Sequence, residues 1–339
     1  MDKSLVSIRN LKKYYEIRKG FTRSLSGHVK AVDDVSFDIM RGETFGLVGE
    51  SGCGKTTLGR TLLRALNPTD GEILFRPDEN KEYNLAGLSD KELRPLRSHM
   101  QMIFQDPYSS LNPRMTVRDI IGEPMSVNNL ASGKELDNMV KELLVEVGLK
   151  PSYLKRYPHA FSGGQRQRIG IARALIMNPN FIVADEAVSA LDVSVQAQIL
   201  ELLLRLKDEF NLSYLFIAHD LSVIKYICDR VGVMYVGKMV ELADTETLYE
   251  APLHPYTEAL FQAIPRIDPT ATKKMEILKG EVPNPASPPS GCYFHPRCKY
   301  AKDICKHQEP EFRNVAGEDE SPHYVSCHFA GELDITPAY

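Results

Sequence analysis

The sequence predicts an α/β protein whose core is a parallel β-sheet. Three short apolar runs, at 44–48, 181–184 and 214–218, are each followed by polar residues, as strands buried in a parallel sheet would be. A helical segment at 196–208 separates the second run from the third. A glycine-rich stretch at 49–56 joins the first run to another helical pattern. These three features predict alternating strands and helices, with a glycine loop after the first buried strand.

Periodicity predicts further elements around this core. Apolar and polar residues alternate at 32–39, which predicts a half-buried strand. After the glycine-rich stretch, Leu58, Leu62 and Leu66 recur at every fourth position and predict one face of a helix. Residues 134–149 carry a second apolar stripe with helical spacing, in a more polar region that precedes the second buried strand.

Length and composition limit the possible functions. The 339 residues suit a core of roughly 250 residues with an appendage. A formal net charge of −4 argues against nucleic acid as a partner. No apolar run reaches about 18 residues, and the N-terminus lacks the apolar core of a secretion signal. We therefore expect a cytosolic protein that reaches a membrane only through a partner.

The glycine-rich stretch fits the phosphate-loop pattern G-x-x-x-x-G-K-[ST]. Its glycines let backbone N–H groups point at phosphate oxygens, and the following helix adds a partial positive charge. Lys55 is expected to reach the β- and γ-phosphates of a nucleotide, and Thr56 to bind Mg²⁺. A glycine turn with a chance lysine is the alternative, which the position between a strand and a helix disfavours. The predicted nucleotide contacts are Gly49, Ser51, Gly52, Cys53, Gly54, Lys55, Thr56 and Thr57.

Two acids end the second buried strand. Asp185 at this position is expected to face the Mg²⁺ shell of a phosphate-loop protein. Glu186 follows it, where a carboxylate can accept a proton from an attacking water. A solvated acidic loop is the alternative, and the phosphate loop earlier in the chain makes the catalytic interpretation the stronger one.

Residues 161–168 resemble the LSGGQ signature of ABC ATPases, with Phe161 in place of leucine. A Ser-Gly-Gly turn at a helix start is a second anion-binding end, although its serine is also a simple helix cap. Because the chain already has a phosphate loop, a second such end suggests that nucleotide is shared between two chains. The resemblance implies nucleotide contacts at Ser162, Gly163, Gly164 and Gln165.

The resemblance to ABC ATPases continues over 5–245. Gln105 is similar to the Q-loop glutamine, which implies contact with Mg²⁺ or the attacking water, and Asp192 is similar to the D-loop aspartate. His219 matches the switch histidine, which implies contact with the γ-phosphate. Tyr15 resembles the aromatic residue that stacks on adenine, and Tyr14 remains an alternative.

The resemblance implies a P-loop (RecA-like) ABC ATPase core with an antiparallel β-subdomain, an inserted α-helical subdomain and a small C-terminal Cys/Pro-rich lobe. The implied domains are the core at 1–88 and 164–250, the helical subdomain at 89–163, and the extension at 251–339. Within that extension, dense prolines at 283–289 predict an extended linker. Ala187 stands where many relatives have proline, and we expect no loss of chemistry from it.

A narrower resemblance is to the F-type ATPase subunits of dipeptide and oligopeptide importers. It rests on residues 27–32, 106–117, 252–257 and 290–298. It implies a related second ATPase of the D type, two integral membrane permease subunits and an extracytoplasmic peptide-binding protein as partners, at the cytoplasmic face of the membrane. It leaves the solute open among dipeptides, longer peptides and other solutes such as nickel.

Four cysteines cluster near the C-terminus: Cys292, Cys298, Cys305 and Cys327. A reducing cytosol disfavours disulfides, so the cluster indicates a metal site first. The spacings are wider than the cysteine pairs of structural zinc sites and differ from ferredoxin patterns, so they do not select a metal. The importer resemblance implies a [4Fe-4S] cluster, with zinc and unligated thiols as alternatives.

Three other functions compete with transport. A soluble ABC ATPase that acts on DNA or ribosomes usually has coiled-coil insertions or two cassettes, and this chain has one cassette and no heptad run. A phosphate-loop kinase has no use for the signature turn or the switch histidine. A non-catalytic subunit predicts degraded motifs, whereas the motifs here are intact.

Overall fold

The structure is a computed structural model that describes residues 4–19, 24–78, 80–263, 278, 280–318 and 320–338. The strands in this part of the chain are β1 (Val6–Lys19), β2 (Ser24–Ile39), β3 (Thr44–Val48), β4 (Asp70–Asp78), β5 (Lys81–Asn84), β6 (Met100–Ile103), β7 (Phe181–Asp185), β8 (Ser213–Ile217), β9 (Arg230–Tyr235), β10 (Lys238–Asp244), β11 (Arg313–Asn314) and β12 (Tyr324–Val325). The α-helices are α1 (Lys55–Leu62), α2 (Asp90–Leu96), α3 (Val117–Val127), α4 (Gly133–Glu146), α5 (Gly163–Leu175), α6 (Val193–Phe210), α7 (Leu221–Ile227), α8 (Thr245–Glu250), α9 (Pro255–Gln262) and α10 (Asp303–His307).

The chain divides into two compact units. The first contains Met1–Val6, Ile39–Thr44 and Phe75–Ala218, and the second contains Ser7–Asp38, Phe45–Leu74 and His219–Tyr339. In the second unit, strands β2, β1 and β4 lie side by side in this order. The domain boundaries expected from the sequence stay predictions, and part of the expected C-terminal lobe lies outside the described residues.

Parallel strands form the centre of the first unit. β7 pairs with β6 on one side and with β8 on the other, so that Val183 lies opposite both Met102 and Leu215. Every residue of β7 and β8 is buried, which explains why both read as unbroken apolar runs. The strands predicted at 181–184 and 214–218 are therefore confirmed.

Helices α3, α4 and α5 pack against one another in the same unit. α4 buries the stripe that the sequence predicted at 134–149, including Leu136, Val140 and Leu144. α6 extends the helix predicted at 196–208 to 18 residues and buries its apolar face. Both helices are confirmed, with bounds that shift by a few residues.

In the second unit, β3 pairs in parallel with β9, and β10, β12 and β11 continue from β9 as antiparallel neighbours. All five residues of β3 are buried, and β2 alternates between buried and more exposed side chains near its end, as predicted. The predicted helix face was wrong at Leu66, because α1 ends at Leu62. Arg64 then takes a left-handed φ of 52°, which a continuing helix does not allow.

A buried carboxylate ties the end of the chain to this unit. Glu241 on β10 is fully buried and accepts hydrogen bonds from the backbone N–H groups of Leu253 at 2.6 Å and His254 at 3.1 Å. The Thr257 hydroxyl also donates to it, and His323 Nε2 lies 2.8 Å from its Oε1. Burial lowers the pKa of His254 to about 4, so this ring is neutral near pH 7.

The proline-rich segment at 283–289 has no regular secondary structure, as expected, but it is attached to the unit. The carbonyl oxygen of Pro285 accepts a hydrogen bond of 3.1 Å from the backbone N–H of Lys30 on β2.

Among the described helices, none combines the length and the apolar character that crossing a bilayer requires.

Replacing Glu241 with alanine should lower the free energy of unfolding by about 3–5 kcal/mol, because two backbone N–H groups and the Thr257 hydroxyl lose a buried acceptor. Urea unfolding of the full chain measures this loss. Glu250→Ala is the matched control, since Glu250 is exposed at the end of α8 and its removal should change stability by less than about 0.5 kcal/mol. Equal stabilities of the two variants would contradict the structural role of Glu241.

Candidate functional site

The phosphate loop between β3 and α1 has a backbone path that excludes side chains at two glycines. Gly49 has φ 148°, and a Cβ there would lie 2.1 Å from the Met234 carbonyl oxygen. Gly54 has φ 112°, and a Cβ there would lie 2.0 Å from the Ala31 carbonyl oxygen. The loop therefore runs directly against β2 and β9, and its shape is fixed by backbone contacts.

Lys55 is the first residue of α1 and is buried within the loop. Its Nζ donates hydrogen bonds to the carbonyl oxygens of Gly49 at 2.6 Å and Glu50 at 3.1 Å. Gly54 is the N-cap of α1 and gives no side-chain cap, and the first turn carries no acid, so the positive end of the helix dipole is uncompensated there. The loop thus combines a lysine, a helix N-terminus and a backbone that curves at its glycines, which is the arrangement that binds phosphate.

Cys53 occupies a buried position in the loop. Its N–H donates to the Glu50 carbonyl oxygen at 3.2 Å, and its own carbonyl accepts from the N–H of Gly237 at 2.8 Å. Burial raises the pKa of the Cys53 thiol above its ordinary value, so the side chain is a neutral thiol near pH 7. This agrees with a small residue chosen for its fit.

In the first unit, two predicted catalytic residues meet. Gln105 follows β6, and its Nε2 donates a hydrogen bond of 2.6 Å to Oε2 of Glu186. Asp185 ends β7 and is buried. Glu186 then takes a left-handed φ of 49°, and its N–H donates to the Ile217 carbonyl oxygen of β8 at 2.9 Å. The strand end therefore turns sharply, so that Glu186 leaves the buried interior and meets Gln105.

The signature turn begins α5. The Ser162 hydroxyl accepts from the Gln165 N–H at 3.4 Å, and the Gln165 side chain accepts from the Ser162 N–H at 3.2 Å. This capping box explains why the sequence carries serine and glutamine three positions apart. Phe161, which replaces the usual leucine, is buried and packs edge-on against Tyr153 with 5.2 Å between ring centroids.

The glycines of this turn lie close to α6. A Cβ on Gly164 would approach Cγ1 of Val195 to 2.5 Å, so a larger residue has no room there. Asp192, which is similar to the D-loop aspartate, is the N-cap of α6, and Val193 after it is 83% exposed. His219 follows β8 and is also exposed.

The structure distinguishes the two tyrosines near the start of the chain. The Tyr14 hydroxyl donates to the buried carboxylate of Asp33, and burial together with this bond raises the pKa of Tyr14 well above its ordinary value. Asp33 also accepts from Tyr293 at 3.1 Å and Lys30 at 3.3 Å. The Tyr15 side chain is 39% exposed, with the Lys13 ammonium 5.0 Å from its ring centroid. The hydroxyl of Tyr14 is therefore held by Asp33, whereas the ring of Tyr15 is accessible.

The four C-terminal cysteines line one pocket together with apolar and aromatic side chains. Cys292 and Cys305 are joined by a backbone hydrogen bond of 2.9 Å. Burial raises the pKa of Cys292 to about 12 and that of Cys298 to about 11, so these thiols are neutral near pH 7. No three His, Cys, Asp or Glu side chains of the described residues are positioned to hold a metal ion, so a formed metal site is not supported.

Sequence reasoning missed the contacts that the C-terminal segment makes with the phosphate loop and with β2. Arg297 pairs with Glu50, and Tyr293 donates to Asp33. The partners are 247 and 260 residues apart, so no local pattern connects them. The importer-like motif at 290–298 includes Tyr293 and Arg297, but it indicated no contact partner for either residue.

The phosphate loop, the acidic end of β7 and the signature turn define an ATP-binding cassette ATPase. A profile of the ABC transporter family matches residues 32–189, and the profile Oligopeptide/dipeptide transporter, C-terminal region, matches residues 240–305. The Oligopeptide transport ATP-binding protein AppF of Bacillus subtilis (strain 168) is 54% identical over 328 residues, or 96% of this chain and 97% of that protein. The chain therefore belongs to the oligopeptide transport ATP-binding proteins of the ABC transporter family.

Solved structures agree with this assignment. The ATP-binding cassette MJ0796, in a dimeric post-hydrolysis state bound to ADP and Pi, is similar with a TM-score of 0.61 and 28% identity, over 71% of this chain and 98% of that one. A second dimeric structure of MJ0796, a bacterial ABC transporter cassette, is similar with a TM-score of 0.61 and 27% identity, over the same shares of each chain. The expected ABC ATPase fold with mixed α/β sheets is confirmed.

Gly54→Ala should lower the free energy of unfolding by about 1–3 kcal/mol or more, because alanine is strained at φ 112° and its Cβ would overlap a carbonyl oxygen. Gly170→Ala in α5 is the control, since its Cβ would meet nothing within 4 Å and alanine favours a helix by up to about 1 kcal/mol. Chemical unfolding measures both. A Gly54→Ala protein as stable as the wild type would show that the loop is less constrained than described.

Proposed function

We propose that the chain binds and hydrolyses ATP to drive the uptake of dipeptides or oligopeptides through a membrane transporter. One observation carries the catalytic part of this proposal, namely the hydrogen bond of 2.6 Å that joins Gln105 to Glu186 at the end of β7. A carboxylate that is outside the buried interior and oriented by an amide is suited to accept a proton from water. The family assignment supports the transport part.

The chain's own residues would act mainly by position and charge, as phosphoryl transfer requires. Lys55 neutralises charge on the β- and γ-phosphates. Glu186 orients the attacking water and takes its proton, while Gln105 holds that carboxylate. His219 contacts the γ-phosphate and supports the transition state. Thr57 and the loop residues Ser51 and Gly52 contribute backbone N–H groups to the phosphates, whereas the N–H of Cys53 donates to the Glu50 carbonyl oxygen.

The donor set fits Mg²⁺. Thr56, Asp185 and Gln105 offer hydroxyl, carboxylate and amide oxygens, which are the hard ligands that this ion prefers. Bound Mg²⁺ would neutralise charge on the β- and γ-phosphates. The burial of Asp185 at a strand end supports its role, because a carboxylate in such a place is retained when a cation or hydrogen bonds compensate it.

We further propose that ATP is shared between this chain and a related ATPase subunit of the D type. The capped turn at Ser162 presents the start of α5, and Gly163, Gly164 and Gln165 lie in its first turn, as an anion-binding helix end requires. Two membrane permeases and an extracytoplasmic peptide-binding protein complete the proposed transporter, with this chain at the cytoplasmic face of the membrane.

Tyr15 is the proposed adenine-stacking residue. Its exposed ring is free to stack, whereas Tyr14 is held by Asp33 through its hydroxyl. Base stacking on an aromatic side chain contributes about 1–3 kcal/mol per base.

The four C-terminal cysteines are the proposed ligands of a [4Fe-4S] cluster. The shared pocket supports this, because Cys292, Cys298, Cys305 and Cys327 all line it, and sulfur ligands suit iron–sulfur clusters and zinc. In the described residues, the four thiols do not form a group that could hold a metal ion, so the cluster would have to bring them together. Within a proline-rich segment, such a group would serve to hold the segment together.

Glu186→Gln should leave ATP binding intact and reduce ATP turnover by at least about 10²-fold, because the proton acceptor is lost while the side-chain shape is kept. Hydrolysis is measured in the assembled transporter with the partner ATPase's own site disabled. Asp208→Asn is the control, since this acid lies on α6 away from the strand end and should leave turnover unchanged. Undiminished turnover in Glu186→Gln would remove Glu186 from its role.

Anaerobically purified protein should be brown and contain about four iron atoms per chain if the cysteines hold a cluster. Iron, zinc and acid-labile sulfide are assayed on the same sample. Cys298→Ser should lose the iron, whereas Cys228→Ser, at a buried cysteine that does not line the pocket, should keep it. Stoichiometric zinc, or a colourless protein with neither metal, would overturn the cluster proposal.

A further inference from the structure

Glu50, the second residue of the phosphate loop, is held by a residue far along the chain. Its carboxylate accepts two hydrogen bonds from Arg297, with Nη1 to Oε2 at 2.6 Å and Nη2 to Oε1 at 2.9 Å. The Arg297 side chain is 5% exposed and that of Glu50 is 26% exposed, so the pair is largely shielded from water. Removing one member of a shielded bidentate pair is costly, because the other charge is left without a partner.

The backbone of Glu50 is held as well. Its N–H donates a hydrogen bond of 2.7 Å to the hydroxyl of Tyr256, a fully buried residue of α9. Tyr235 connects the two contacts, because its ring centroid lies 4.6 Å from that of Tyr256 and its hydroxyl lies 3.4 Å from Nη1 of Arg297. Side chain and main chain of Glu50 are therefore fixed from the same side.

Glu50 in turn fixes the lysine of the loop. The Glu50 carbonyl oxygen is one of the two that accept hydrogen bonds from Nζ of Lys55. It also accepts from the N–H of Cys53 at 3.2 Å, which closes the turn of the loop. Displacing Glu50 would thus move both the turn and the lysine. The phosphate-loop pattern leaves the identity of this position free, so the pattern itself does not explain a carboxylate here.

We propose that Arg297 and Tyr256 are positioning residues that hold the phosphate loop in its ATP-binding shape by gripping Glu50. The inference rests on the proposed ATP binding at Lys55. It adds that tight binding also requires Glu50 to be held in place. The C-terminal extension then contributes to nucleotide affinity, although its residues act only through Glu50. A purely structural role would instead attach the extension to the unit without changing affinity.

The test is calorimetric titration of the full-length chain with Mg-ATP. Arg297→Gln and Glu50→Gln should each weaken ATP affinity by roughly ten- to a hundredfold, because small displacements in a binding site have effects of this size. The double variant should lose no more ATP affinity than the single variant that binds ATP less tightly. The effects of residues that act as one unit are not additive. Tyr256→Phe should weaken affinity by about fivefold through the loss of one hydrogen bond.

A split between kinetic parameters separates positioning from chemistry. In the assembled transporter, Arg297→Gln should raise KM for ATP and leave kcat at saturating ATP within about twofold, because a positioning effect on binding is overcome by substrate. Lys306→Ala is the matched control from the same segment. Its side chain is 56% exposed and pairs with the exposed Asp303 at 3.4 Å, so its removal should leave ATP affinity unchanged.

Lys55→Ala distinguishes failure of the proposed ATP binding from failure of the proposed role of Arg297 and Tyr256. Wild-type ATP affinity in Lys55→Ala would overturn the proposed function and this inference together. Loss of affinity in Lys55→Ala with wild-type affinity in Arg297→Gln and Glu50→Gln would overturn this inference alone. If Arg297→Gln does not fold, Glu50→Gln and Tyr256→Phe carry the test, and unchanged affinity in both contradicts the proposal.

Discussion

The close approach of the phosphate loop to the carbonyl groups of its neighbours is the constraint on which the nucleotide site depends. Where Gly49 and Gly54 face the carbonyls of Met234 and Ala31, only hydrogen fits. The loop is therefore packed directly against these carbonyls, which limits the arrangements that its N–H groups can take before a ligand binds. Such preorganisation reduces the entropy that binding has to overcome. The strands that supply these carbonyls are therefore part of the binding site, although they offer no side chain to it.

The C-terminal region serves the same unit as the phosphate loop. β12 extends the sheet next to β10, and Glu241 collects hydrogen bonds from both ends of this region. Arg297 reaches the loop itself through Glu50. A region that looks like an appendage in the sequence thus shares a hydrogen-bonded network with the nucleotide site. This gives a physical reason for its presence in a transport ATPase.

Local patterns in the sequence predicted the elements that local physics determines. The five buried residues of β3 and the apolar run of β7 were correct within one residue, because a strand buried on both faces is predominantly apolar. The helix expected to reach Leu66 ends at Leu62. The backbone at Arg64 is left-handed, and the spacing of apolar residues carries no information about such a backbone conformation. The phosphate loop and signature turn were recognisable because both require glycines at fixed positions.

Contacts between distant residues could not be predicted. The sequence favoured Tyr15 over Tyr14 by resemblance alone, and the bond of Tyr14 to the buried Asp33 gives a physical difference between them. The spacing of the cysteines likewise did not predict their positions in space. The pocket that the four thiols share became evident only from the fold. The pair of Glu50 with Arg297 joins residues that no motif connects.

The most direct test of the account is the structure of the assembled transporter with Glu186→Gln and bound ATP. We expect each nucleotide to contact the lysine loop of one ATPase subunit and the serine–glycine turn of the other. An ATP enclosed entirely by a single polypeptide, with the turn at Ser162 facing solvent, would contradict it.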